Sequence, residues 1–504
     1  MKEHPLAAIK VAVLIVAIAA HLQSGPAILA QQSSPWGTGV ALPSAPEARS
    51  PFVLSAVTDP ATGESAFSYR GKQIAPTMRT APGRLIRVVY RNHLTAHSRE
   101  ICVDGPCTNM TNLHFHGLHV SPDAPQDDAI SMMAMPGQSL RYSVDIPSYE
   151  APGLYWYHTH PHGESYQQSL DGMSGAIVID GIDRYVPDVR SMKEQILILR
   201  DAVLDLPGTD SHQIQQQVEL NPTPCGPAAG SPERAFTVNG VVRPRIPIAP
   251  GERQFWRIVN ASPDLYADLS LDTQQLHVVA IDGMPLAYHD PQHAQEAFTH
   301  FLLSPAGRLE LIVTGPSPGS HASLRTACID TGSDGDPNPA MVLADLDNTN
   351  QKASPGKFTP STAGPAVHNV IPPATIARVE QADAKFTVIF TEDKSGFYIN
   401  GEKYSPTGDP MLTVKIGDYQ HWLVVNSSNE MHPFHIHQVH FLVYAVNGDK
   451  PPTQNWMDTV NVAPGGTVDL VMDFTDPVIR GMSLFHCHLL KHEDKGMMAK
   501  ILFQ

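Results

Sequence analysis

Charge is scarce in this chain. Only 17% of its 504 residues are Asp, Glu, Lys or Arg, and the acidic ones outnumber the basic by 50 to 34. The net charge of −16 repels nucleic acid and anionic membrane surfaces, so polyanionic partners are disfavoured. Long uninterrupted helices are excluded too, because 45 Pro and 36 Gly break the chain into short elements joined by turns. Beyond residue 30 no apolar run reaches the ~18 residues that a spanning helix needs, so no stable membrane insertion is predicted. Cysteine is rare, five in all, and none of it has the C-x-x-C-type spacing of closed zinc sites. Histidine is what the chain has in excess: 25 residues, the place to look for function.

The length leaves room for roughly three domains of ordinary size. Residues 1–30 carry Lys2 and Lys10, the apolar run Val11 to Ala20, and the small residue Ala30 before Gln31-Gln32. That is the layout of a cleaved signal peptide, so an exported, periplasmic or secreted protein is predicted, and export permits disulfides. Cys102 and Cys107 flank a short Val-Asp-Gly-Pro turn and are expected to pair, as are Cys225 and Cys328. Cys487 is left over, alone between two histidines, which suits a metal thiolate better than a cross-link.

Three stretches repeat a pattern: Tyr69-Arg-Gly71 leading to Asn92, Val238-Asn-Gly240 leading to Asn260, and Ile399-Asn-Gly401 leading to Asn426. Each runs from a Gly turn through a second Gly (Gly83, Gly251, Gly417) into alternating apolar residues that end at Asn. Period-two alternation between Gly and Pro turns reads as strands, and its recurrence reads as three related all-β sandwiches. Residues 353–375 are rich in Pro, Gly, Ser and Thr and read as a linker. Domains are therefore expected over 31–190, 191–355 and 356–504.

The histidines cluster as His114-Phe-His116-Gly, His158-Thr-His160-Pro-His162-Gly, His432-Pro-Phe-His435-Ile-His437 and His486-Cys487-His488-Leu-Leu-Lys-His492. At this composition chance supplies roughly one H-x-H, so one pair is weak evidence for a metal and four matched clusters are strong. Strand residues two apart share a face, whereas an odd offset points the other way. Parity thus separates Cys487 from His486 and His488, and His432 from His435 and His437. One site collects Cys487, His432 and His492 with Met497 nearby: thiolate, two imidazoles and a thioether, the ligands of a blue-copper centre. The other collects eight imidazoles, His114, His116, His158, His160, His435, His437, His486 and His488, enough for three copper ions.

With these motifs, and above all the terminal run HCHLLKHEDKGMM, the sequence resembles the three-domain multicopper oxidases, which include laccases and bacterial cuprous oxidases. The resemblance covers essentially the whole chain after the leader. It implies three consecutive cupredoxin-like Greek-key domains and four copper ions, with type 1 copper held by His432, Cys487, His492 and axial Met497. It further implies type 2 copper on His114 and His435, one type 3 copper on His116, His158 and His486, and the other on His160, His437 and His488. Glu493 matches a family acid that delivers protons, and either Asp127 or Asp128 stands where the family places a second carboxylate. The middle domain, without an H-x-H, is expected to be a spacer. His162, His119, His421 and His440 read as structural, and Met132, Met133 and Met135 as packing residues. The implied reaction is four one-electron oxidations of a small reducing substrate, phenols or aromatic amines as in laccases, coupled to reduction of O2 to water. Oxidation of Cu(I) or another low-valent metal is the near alternative, and a non-enzymatic copper-binding scaffold the distant one.

Overall fold

The computed structural model describes residues 39–95, 102, 107–203, 234–336, 338, 340–348 and 366–504. The expected signal peptide lies outside the described residues, as do Cys225 and the greater part of the expected linker. Six sheets form three pairs along the chain. Two five-stranded sheets lie between Glu47 and Ile179, a seven- and a five-stranded sheet between Lys193 and Asp347, and a six- and a five-stranded sheet between Phe386 and Phe503. The all-β expectation holds. Among the described residues the α-helices are short, Ser165–Leu170, Pro373–Glu380 and Leu490–Asp494.

The sequence repeat is a structural one. Arg70-Gly71, Asn239-Gly240 and Asn400-Gly401 each place two successive residues in the left-handed region, with φ of 52 and 75°, 52 and 80°, and 52 and 78°. Two positive φ values in a row make the tight hairpin turn whose twist matches the flanking strands, and Gly takes the second position without strain. The Asn that ends each repeat is a clamp. The side-chain amide of Asn92 donates to the carbonyls of Asn109 and Ala134, that of Asn260 to Leu265 and Leu303, and that of Asn426 to Glu430 and Val462. Buried polar groups must find such partners, and these three hold the loops at one end of each sandwich.

Each sandwich has its own apolar core, filled by alternating inward residues of both sheets. In the third, Trp422 is fully buried against Phe386, Phe474 and Phe485, with ring centroids 5.0–6.0 Å away. Trp422→Ala removes that packing and should cost about 3–5 kcal/mol, lowering the thermal unfolding midpoint by roughly 10 °C in a calorimetric scan. Buried ions join the first and second sandwiches: the Arg257 guanidinium pairs with Glu194 and Glu310, and Glu310 accepts the backbone N–H of Leu154. Asp494 joins the third sandwich to the first by accepting the N–H groups of Gly163, Ser165 and Tyr166. The strands bearing the histidine motifs are thereby brought together.

Candidate metal centres

The short strand His114–His116 pairs antiparallel with Leu154–His158, placing His114 opposite His158. In the third sandwich His432–Ile436 pairs antiparallel with Gly481–Cys487, placing His435 opposite His486 and Phe434 opposite Cys487. Cys487, His432 and His492 converge on one side, and the eight H-x-H imidazoles meet between the first and third sandwiches. All of these side chains are buried.

In the smaller group Cys487 Sγ lies 3.4 Å from His432 Nδ1, which lies 3.4 Å from His492 Nδ1. Both rings are held from behind: the Ser428 hydroxyl is 2.8 Å from His432 Nε2, and Glu430 is 3.5 Å from His492 Nε2. Phe397 stacks on His492 at 3.9 Å. Burial pushes His432 down to about 3, so the imidazole is neutral with its lone pair available. Burial pushes the Cys487 thiol up, and the thiolate it would become needs a cation beside it. Met497 is fully buried in the same core cluster as Cys487, and its carbonyl accepts the Cys487 N–H at 3.1 Å. Met498, one residue on, turns away to pack with Ala129 and Leu484.

In the larger group most rings are anchored outward by one nitrogen. His114 Nδ1 meets Asp127 at 3.0 Å, His158 Nδ1 the Thr159 carbonyl at 2.9 Å, His435 Nδ1 the Asp458 carbonyl at 2.8 Å, and His486 Nδ1 Glu493 at 3.2 Å. The opposite nitrogens of His114, His158 and His435, and both of His488, are buried without a partner. An unpaired buried nitrogen is costly, and several aimed at one another describe a site waiting for a cation. Burial and the neighbouring imidazoles hold His158, His160, His437, His486 and His488 well below the usual histidine range, so they too are neutral ligands. The residues fit copper: nitrogen donors in number, with one thiolate group close by.

Two expectations change and one open alternative narrows. First, the grouping of the imidazoles is the reverse of the one the resemblance implies: His486 Nε2 lies 3.2 Å from His437 and 3.5 Å from His160, and the His488 ring is 5.0 Å from His116 and 5.5 Å from His158. Parity fixed the face, but two residues of strand also advance about 6–7 Å along it, enough to carry the second ring to the other side of the cluster. Second, Asp127 and not Asp128 reaches the histidines. Asp127 is buried, touches His114, and accepts the N–H of Phe115 and the Gln438 amide, while Asp128 caps its own turn through the N–H groups of Ile130 and Ser131. Third, the middle sandwich is no mere spacer, because it supplies Arg308 and Asp282 to the wall of the larger group.

Glu493 is fully buried between His160 and His486, 3.6 Å from one and 3.2 Å from the other. Cys102 and Cys107 form a disulfide. His162 packs on Tyr404, and His421 bridges the Ala382 carbonyl and Asp469. His119 and His440 are more than packing residues, since both line a cavity of about 340 Å³ where the three sandwiches meet. Met132 packs on the first core and Met135 is exposed. Arg308, Asp458, Gln438, Glu430 and Trp156, whose ring stacks on His158 at 4.3 Å, were invisible in the sequence because none belongs to a motif.

The chain matches the family described as multicopper oxidase over residues 55–183 and again over 373–504. It is 25% identical over 447 residues to a multicopper oxidase of Staphylococcus haemolyticus, covering 87% of this chain and 83% of that one. It is 27% identical over 484 residues to a laccase of Haloferax volcanii, covering 87% and 78%. Among solved structures, a Campylobacter jejuni multicopper oxidase described as a metallo-oxidase shares the fold with a TM-score of 0.67, at 24% identity, over 92% of this chain and 95% of that one. Paired sandwiches, opposed histidine strands and a buried thiolate group thus occur together in a chain that belongs to the multicopper oxidases, copper-dependent oxidoreductases that use O2.

Proposed function

We propose that this protein takes electrons singly from a small reducing substrate, with His432, Cys487, His492 and Met497 as the residues that would hold a type 1 copper, and passes them to O2, with the eight H-x-H imidazoles as the residues that would hold three further copper ions. The observation that carries this reading is the set of inward, unpartnered imidazole nitrogens facing one another beside the thiolate group. Copper in these two groups supplies one-electron redox chemistry and O2 binding. The chain's own residues do the rest. Cys487 is covalently continuous with His486 and His488, so the two groups share a through-bond connection of a few atoms. Burial of both groups excludes bulk water. Glu493, sealed between His160 and His486, has its carboxyl pushed well up by burial and by Asp494, and can hold a proton until O2 reduction needs it. Reconstitution with copper and measurement of O2 uptake with a phenol donor tests the reading. Export from the cytoplasm, suggested by residues 1–30 and the Cys102–Cys107 disulfide, completes it.

Laccase-type donors, phenols and aromatic amines, are one substrate class. A specific observation favours the second, a low-valent metal cation. The Nε2 edge of His492 lies at a narrow cleft bounded by Glu430, Asp264 and Asp336, where three acidic side chains face a nearby cation, Lys491, 3.9 Å from Asp336. Acidic side chains at that edge favour cationic donors over neutral phenols; burial and the neighbouring acids push Glu430 up to about 9, so a bound cation would displace its proton. Glu430→Gln should lower kcat/KM for Cu(I) or Fe(II) by ~10-fold while changing that for a neutral phenol little. Equal loss for both donors would remove the preference for cations.

Met497 sets a second expectation. A weak thioether donor at Met497 would favour oxidised copper, so Met497→Leu should keep the blue colour and raise the type 1 potential, with ~1.4 kcal/mol corresponding to ~60 mV for one electron. Redox titration checks it, and Met498→Leu, packed elsewhere, should leave the potential alone.

A further inference from the structure

We infer that Arg308 and Asp458 are positioning residues that decide which nitrogen of His116 faces the histidine cluster, and that the middle sandwich governs the cluster through them. Asp458 is fully buried, and its Oδ1 lies 3.2 Å from His116 Nε2. That leaves Nδ1 of His116 as the buried, unpartnered atom, opposite in sense to His114, His158 and His435, whose free nitrogen is Nε2. The backbone carbonyl of the same Asp458 holds His435 Nδ1 at 2.8 Å. One residue therefore orients a histidine of the first sandwich with its side chain and a histidine of the third with its backbone.

Asp458 is itself fixed from the middle sandwich. Arg308, with no exposed surface, donates Nη1 to Oδ1 at 2.8 Å and Nη2 to Oδ2 at 2.5 Å, the two-pronged geometry that only a guanidinium offers. Its remaining N–H groups are spent on the carbonyls of Asp282, Ala306 and Leu154. Asp282 completes the grip by accepting the backbone N–H groups of Asp458 and Thr459 at 3.2 and 3.3 Å. The glycine of the first H-x-H-G follows from this crowding. A Cβ on Gly117 would lie 2.4 Å from Arg308 Nη2 and 2.6 Å from Asp458 Oδ2, and its φ of +84° suits glycine as well.

A carboxylate at Oδ1 can only accept, so it selects the tautomer of His116 with hydrogen on Nε2 and a lone pair on Nδ1. Asn at 458 cannot satisfy all its neighbours. Whichever way the amide turns, its NH2 confronts either an Arg308 N–H or the His116 Nε2–H. The inference rests on the copper reading, and the experiment separates the two. Asp458→Asn and Arg308→Lys are purified, loaded with copper beside the parent, and compared by metal analysis, electron paramagnetic resonance and visible absorption. The blue centre touches neither residue and should keep its colour. Asp458→Asn should lose copper affinity at the histidine cluster, and with it the cluster's spectroscopic signature, by ~10- to 100-fold, with Arg308→Lys intermediate because an ammonium keeps the charge and loses the fork. Should Asp458→Asn fail to fold, Arg308→Lys decides alone. A parent that binds no copper at the cluster overturns the copper reading itself. A parent that loads, with folded variants that load equally and show the parental signature, overturns the positioning role.

Discussion

Cys487→Ser should yield a colourless protein with turnover below ~1% of the parent's, yet with copper still bound by the H-x-H imidazoles. The thiolate is the only sulfur anion available to the smaller group, since Cys487 is the one free cysteine among the described residues. A hydroxyl in its place is neither a charge-transfer partner for copper nor a strong ligand, so the colour and the entry point for electrons go together. The imidazoles of the larger group are held by Asp127, Asp458, Glu493 and backbone carbonyls, none of which depends on sulfur. Visible absorption and metal analysis of the purified variant check this. A variant that stayed blue would mean that the colour belongs to another site.

The reversed partition of His486 and His488 gives the second large effect. His488→Ala should empty the position bounded by His116 and His158 while leaving scattering density at the position bounded by His160, His437 and His486. His486→Ala should do the opposite, and both should stop O2 reduction with the blue centre still reducible by substrate. Each removes one imidazole of a set in which every member is buried, so no solvent ligand stands ready to replace it. Anomalous copper scattering from crystals of the two variants reads the positions separately. Depletion of the His116 and His158 position by His486→Ala would restore the division that the family resemblance implied.

The two clusters were legible because their residues are rare types at fixed spacing, and parity on a strand turned that spacing into two faces. The repeat was legible for a related reason: a hairpin turn with two positive φ values leaves its Gly in the sequence three times, and the closing Asn recurs with it. What the sequence could not carry is anything set by the meeting of sandwiches. Asp282 lies 26 residues before Arg308 and 176 before Asp458, and the three belong to no local pattern; only docking of the second and third sandwiches brings them to one point. Asp127 and Asp128 are neighbours, and strand geometry alone does not say which turns inward, because the segment is a turn whose cap Asp128 forms. The order of His486 and His488 failed similarly, since a face is a local property and a position within a cluster is not.

The central claim is that one chain couples a thiolate copper to a histidine-bound cluster that reduces O2, and a single anaerobic-to-aerobic cycle tests it. Copper-loaded protein is mixed with a reducing donor without oxygen, O2 is then admitted, and the blue band is followed together with O2 consumed and peroxide formed. The predicted result is bleaching by the donor, return of the blue on oxygenation, and consumption of one O2 for every four electrons with no peroxide released. Bleaching that O2 does not reverse, or return of the blue with stoichiometric peroxide, would contradict it.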